Sequence, residues 1–225
     1  MFERWLMDHR RRRLLGRATG PLRAFYSQPF VSPRSDCRAL GFVAVDLETT
    51  GLDPERDAIL SIGLVDIEKL SIELAGARHL LLCPDRAIPE RSAIVHHITD
   101  DDAAAGTALE AVLPEVLARL SGKVLVAHHA RLDLAFLDRA CRRLYGAGLL
   151  LPVVDTQQLA RRTLQRRDQP IAAQNLRLAE CRARLGLPRY RLHNALSDAL
   201  ACAELLLVQL AQHDPARPIA LKHFL

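Results

Sequence analysis

The chain has 225 residues, 49% of them hydrophobic and 25% charged, with a formal net charge of +5. That length holds one well-buried domain and a short appendage rather than two full domains, and the composition is ordinary for a soluble globular protein. No apolar run approaches the roughly 18 residues a bilayer-spanning helix needs, so no membrane partner is expected.

Five cysteines (37, 83, 141, 181, 202) are odd in number and form no CxxC-like pair, which argues against a disulfide framework or a zinc site and for a reducing cytoplasm. The N-terminus lacks the apolar core of a secretory signal, and Glu3 and Asp8 count against a mitochondrial presequence. The positive charge is uneven. Residues 1–40 carry nine Arg against Glu3, Asp8 and Asp36, a net of +6, and the remainder is close to neutral at −1. The basic pI therefore belongs to this N-terminal arm and does not by itself show that the main domain binds an anion.

Within the arm a short helix is expected over residues 10–15. Gly16, Gly20, Pro21, Pro29 and Pro33 then argue against packed core elements, leaving a solvated or surface-docked extension. From residue 41 the texture changes. Residues 42–45 read as a buried strand running into Asp46-Leu47-Glu48, then a loop through Thr49-Thr50-Gly51-Leu52-Asp53-Pro54. Residues 58–65 and 79–83 have strand length. Thr107 and Glu110 form a capping-box pattern opening a helix whose apolar stripe runs from Leu109 to Leu120, with a kink or break expected at Pro114. Residues 124–127 read as a strand, 134–144 as a helix, 151–154 as a brief strand, and 176–187 and 195–210 as helices. Strands first, then strands alternating with helices, imply an α/β sandwich around a mixed sheet.

Three motifs carry carboxylates. Asp46 and Glu48, two apart on a strand, project to one face at the end of a buried run. Such a pair repels itself unless a cation neutralises it, and a hard divalent ion with oxygen ligands does so. Asp133 follows the 124–127 strand and falls in the first turn of the next helix, where a capping role also suits it. In His193-Asn194-Ala195-Leu196-Ser197-Asp198, Asn194 is a candidate N-cap and Asp198 lies one turn in. Each motif alone is ambiguous. Four acids at element ends, with a His five residues before the last, suit a phosphodiester site in which two cations about 4 Å apart stabilise the attacking and leaving oxygens while a neutral His takes a proton.

In their order and wording these motifs resemble the DEDDh subgroup of DnaQ-like 3′→5′ exonucleases, over roughly residues 41–212. FVAVDLETTGLDP is similar to the family's first motif, VLVAHHARLDLAFL to its second and HNALSDALACAELL to its third. AIVHHITDDD resembles its V-H-G-I segment and VVDTQQLARR its D-T-x-x-L-A-R segment. The resemblance implies a ribonuclease H-like fold, α/β, with a five-stranded mixed sheet flanked by helices. Residues 1–40 would be a basic arm, 41–212 the exonuclease domain and 213–225 a short tail.

It further implies that Asp46, Glu48, Asp133 and Asp198 hold two divalent cations, Mg²⁺ or Mn²⁺, with His193 as general base. Thr49, Thr50 and Leu52 would line the terminal nucleotide's pocket, His96 would be a pocket neighbour or a structural residue, and Asp155 would cap the helix after it. His129, His97 and Leu132 depart from the family's Asn, Gly and Phe; they leave the ligand set intact, and His129 bears on contacts to the last nucleotides.

The implied reaction is metal-dependent 3′→5′ hydrolysis of single-stranded nucleic acid to nucleoside 5′-monophosphates. DNA is favoured by E-T-T-G in place of E-M-T-G; an RNA-directed exoribonuclease, a proofreading subunit bound to a polymerase and a catalytically silent scaffold are the alternatives. Only about 13 residues follow Gln212, short for a polymerase-binding tail, so a stand-alone nuclease or another repair or polymerase tether is expected. Nine Arg against two acids over residues 161–191 suggest a further phosphate-attracting surface.

Overall fold

A computed structural model describes residues 2–84, 86, 88–89, 92, 96, 98–168, 171–190, 193–214 and 216–225. Its centre is one five-stranded mixed sheet, as the motifs implied. β1 (Gly41–Thr49), β2 (Ile59–Glu68) and β3 (Ser71–Leu81) are antiparallel neighbours, while β4 (Val124–Ala127) and β5 (Val153–Asp155) run parallel to β1, in the order β3-β2-β1-β4-β5.

β1 is apolar on both faces because both are covered. Val43 and Val45 point into a core shared with β2 residues Ile62 and Leu64 and with three helices, α2 (Gly20–Ser27), α4 (Leu109–Leu120) and α5 (Arg131–Tyr145). Phe42 and Ala44 point the other way, into a core with Val65, Ile67 and the side chains Ala199, Cys202 and Leu206 of α8 (Ala195–Ala211). A third cluster ties α6 (Thr156–Arg166) and α7 (Leu178–Arg184) to the outer side of α8 through Leu164, Cys181 and Leu205. Among the described residues no helix is long and apolar enough to cross a membrane.

The basic arm departs from expectation. It forms α1 (Phe2–Leu15) and α2, and Leu22, Phe25 and Tyr26 are buried in the main core. The Tyr26 hydroxyl donates to Gly148 O at 2.6 Å and accepts from Leu150 N–H at 2.8 Å, so it bridges the chain just before β5. Arg11, itself buried, pairs with Asp8 and donates to the Tyr26 carbonyl. Each large apolar side chain buried here contributes roughly 1.5–3 kcal/mol. Gly and Pro mark the breaks between these short elements, and the packing happens between them.

Two local expectations also change. α4 runs unbroken through Pro114, and Thr107 does not cap it; the N-cap is Ala108 without a side-chain bond. Thr107 instead pairs with the chain after β3, donating its N–H to Leu81 O and accepting from Cys83 N–H. The capping box present in this region lies earlier, where Thr99 and Asp102 open α3 (Asp100–Ala104).

Candidate carboxylate site

The site forms where the C-terminal half of β1 meets the N-termini of α5 and α8. Asp46 and Glu48 extend from β1 on the face that α8 covers. Asp198 joins them from the first turn of α8, and one carboxylate oxygen from each of the three residues lies within 4.8 Å of the others. α8 begins there because Asn194 is its N-cap, its side chain accepting from Ser197 N–H at 3.1 Å. Asp133 arrives from the opposite layer, in the first turn of α5, and its Oδ1 accepts the Leu47 N–H at 3.1 Å. It lies outside the close trio but acts on the same strand.

Burial and mutual repulsion raise the acids. Asp46 is held well above the ordinary carboxylate range, first by burial and then by the charges of Asp133, Asp198 and Glu48. Burial pushes Asp133 up to about 7, the Leu47 N–H offsetting part of the effect. Burial also pushes Asp198 up to about 6, with the His193 N–H, donated to Oδ2 at 2.7 Å, partly offsetting it. Asp198 Oδ1 is buried and has no hydrogen-bond partner among the described residues. An orphaned carboxylate oxygen beside two further carboxylates is a donor set that fits a hard divalent cation.

His193 is exposed, immediately before α8, with φ of 67°. His96 sits against Glu48, its Nδ1 facing the Glu48 carboxylate, and its ring centroid is 6.4 Å from that of His193. His97 lies outside the described residues. His129 is exposed, with φ of 69°, and its main-chain N–H donates to Asp155. Asp155 caps α6 through Gln157 and Gln158 and also receives Ala130 N–H, so one carboxylate holds both the start of α6 and the turn that delivers Asp133. Leu132 packs against the main core.

The three residues assigned to the nucleotide pocket part company. Leu52 is 77% exposed on the loop after β1. Thr49 is buried and donates its hydroxyl to Gly51 O at 2.6 Å. Thr50 is committed to holding the loop, its hydroxyl donating to Asp57 Oδ1 and accepting from Ala58 N–H, its own N–H donating to Ala58 O.

The loop's other supports were not singled out from the sequence. Asp57 also receives Asp53 N–H at 2.8 Å, and Ser92 donates its hydroxyl to Thr49 O at 2.8 Å. Aspartate in a Gly/Pro loop is a signal for the first; nothing in the sequence marks the second. His128, beside His129, is likewise structural, with Nδ1 paired to the Thr156 hydroxyl and Nε2 to Leu176 O.

Not every arginine of the 161–191 stretch reaches the surface. Arg182 is buried, paired with Glu204 at 2.7 Å and bonded to the carbonyls of Ala201 and Pro188, so it braces α7 against α8.

A five-stranded mixed sheet in this order, with acids gathered at the end of its central strand, is a ribonuclease H-like fold carrying a candidate cation site. The model of the RNase T-type family, described as Exonuclease, matches residues 43–206. The chain belongs to this exonuclease family.

A PolC-type DNA polymerase III of Thermotoga petrophila is 36% identical over 166 residues, covering 74% of this chain but 12% of the polymerase. The DNA polymerase III subunit epsilon of Treponema pallidum is 32% identical over 77% of this chain and 78% of its own length. Two solved structures share the fold. The nuclease domain of 3′hExo, a DEDDh family member bound to rAMP, has a TM-score of 0.66 at 17% identity, over 82% of this chain and 98% of that one. An E. coli ExoI–ssDNA complex has 0.66 at 15% identity, over 77% and 41%.

Proposed function

We propose that residues 41–212 are a 3′→5′ exonuclease unit that hydrolyses the terminal phosphodiester of single-stranded nucleic acid, with DNA favoured, and releases nucleoside 5′-monophosphates. The observation that carries this reading is the trio Asp46, Glu48 and Asp198, one carboxylate oxygen of each within 4.8 Å of the others, including a buried oxygen without a hydrogen-bond partner among the described residues. Together with Asp133 these residues would hold two divalent cations, Mg²⁺ or Mn²⁺, which when bound supply positive charge for the attacking and leaving oxygens.

The remaining work falls to the chain. His193, exposed beside the trio, takes the proton of the attacking water, and its main-chain N–H holds Asp198 in orientation meanwhile. His96 stands beside Glu48 at the edge of the cluster, its Nδ1 facing that carboxylate. Leu52 offers an exposed apolar surface to a terminal base, and Thr49 shapes the loop beneath it. His129, exposed at the start of α5, contacts the last nucleotides.

The Treponema relative is by name a polymerase subunit and one structural neighbour holds ssDNA, which supports a nucleic-acid substrate. Five free cysteines suit a reducing cytoplasm. The test is degradation of matched 3′-labelled DNA and RNA oligomers, single- and double-stranded, in Mg²⁺, Mn²⁺ or excess EDTA. Single-stranded DNA is expected to shorten from its 3′ end, with EDTA abolishing cleavage; equal digestion in EDTA refutes the reading.

A further inference from the structure

Gly63 faces Asp46 across the β1–β2 pairing, and residues directly opposite in an antiparallel pair project to the same face of the sheet. That face is the one α8 covers. A Cβ on Gly63 would stand 2.0 Å from the Ala195 carbonyl oxygen, 2.2 Å from its carbon and 2.5 Å from Leu196 N. All three are main-chain atoms of the first turn of α8, so no rotamer change relieves the overlap. Gly63 has no positive φ. It is needed for space and not for a turn, which is the usual meaning of a glycine inside a strand where another backbone comes close.

We infer that Gly63 is a positioning residue that sets the height of α8 over the sheet, and thereby the distance from Asp198 to Asp46 and Glu48. The inference rests on reading those three carboxylates as cation ligands. The chain of contacts is short: Asp46 pairs with Gly63, Gly63 touches Ala195, and Ala195 lies one helical turn from Asp198. Any side chain at 63 must lift the start of α8 by about 1.4 Å to bring the 2.0 Å approach to the 3.4 Å of ordinary contact, whereas ligand distances tolerate only about 0.2 Å. Mg²⁺ demands near-ideal geometry at about 2.0–2.1 Å, so a displaced Asp198 leaves its shell incomplete.

The test compares full-length wild type, Gly63→Ala and Val65→Ala by thermal melting across a MgCl₂ titration, with circular dichroism to verify the fold. Val65 is buried on the same strand face, and its truncation weakens packing without adding an atom under α8. Gly63→Ala is expected to need at least tenfold more Mg²⁺ for half of the melting-temperature rise, and Val65→Ala to melt lower with an unchanged midpoint.

Adding Asp198→Glu, which extends the carboxylate by roughly one 1.5 Å bond, should move the midpoint back in the Gly63→Ala background while worsening it in wild type. Should Gly63→Ala not fold, Ala199→Val adds bulk to the same face of α8 and should shift the midpoint in the same direction. An unchanged Mg²⁺ midpoint in a folded Gly63→Ala protein, or in Ala199→Val where the first does not fold, overturns the inference. Absence of any Mg²⁺-dependent rise in wild type would instead defeat the cation-ligand reading itself.

Discussion

The carboxylate site should make the cation-free protein less stable as pH rises from 5 to 8. Asp133 and Asp198 ordinarily titrate at 3.8 but do so at about 7 and about 6 when folded. Between those values the folded state holds protons that the unfolded chain has released, so stability falls with rising pH across that window and levels off above about 7. At 1.36 kcal/mol per pH unit, between pH 5 and 8 the two acids together account for about 3–4 kcal/mol, the lower figure allowing for repulsion that they share. For a chain of this size 1 kcal/mol moves the melting temperature by about 2–4 °C, so a fall on the order of 10 °C is expected.

Thermal melts in EDTA across pH 5–8 measure it, with Asp198→Asn as the internal reference because that side chain cannot titrate. The variant should show a shallower pH slope and melt higher than wild type at pH 8. Divalent cation should raise the wild-type value at pH 8 by about 2.7 kcal/mol at a hundredfold excess over its dissociation constant. A melting temperature that climbs with pH in EDTA, or an Asp198→Asn slope equal to wild type, refutes the assignment of strain to these acids.

Replacing His193 by Gln should lower the cleavage rate by about 10²–10⁴-fold while leaving the cation-induced rise in melting temperature within about 1 °C of wild type, if its part is proton transfer. Single-turnover assays beside the melts decide this, and an unchanged rate removes His193 as base. Tyr26→Phe strands the buried Gly148 carbonyl and Leu150 N–H and should cost about 1–3 kcal/mol without altering turnover. Urea unfolding checks the loss, and an unchanged midpoint would show that the N-terminal helices are not integral to the core.

What could be seen in the sequence was what local pattern encodes. β1 and β4 were legible because burial on both faces leaves uninterrupted apolar runs, and Asn194 because an N-cap is decided within three residues. β3 was only half legible. It is an edge strand with mostly exposed or half-buried side chains, so its first residues, Ser71-Ile72-Glu73-Leu74, alternate and never form the continuous apolar run that marks β1. In the N-terminal segment only the end of α1, residues 10–15, was legible, and α2 and its burial were not: what fixes Tyr26 is Gly148 and Leu150, more than 120 positions away, while the nearby Gly and Pro suggest an arm. Charge counting failed at Arg182 because a count cannot tell a guanidinium facing water from one folded onto Glu204. For the site, D-x-E spacing brought Asp46 and Glu48 together at once, but the arrival of Asp198 depends on Gly63, a contact between backbones that no side-chain motif announces.

Such a cluster can exist only if other interactions outweigh its repulsion, and α8 shows how. The helix that brings Asp198 toward two other carboxylates also buries Leu205, Leu206 and Leu210, together with Ala199, Cys202 and Ala203. The three leucines alone contribute roughly 5–9 kcal/mol, against about 3 kcal/mol for holding one acid at about 6 in place of 3.8. Packing therefore wins, and the carboxylates are assembled by the core rather than by whatever neutralises them. Little cation-binding energy need then be spent on ordering α8. The far-ultraviolet circular dichroism of the protein in EDTA should match that in Mg²⁺, even as the two samples melt many degrees apart.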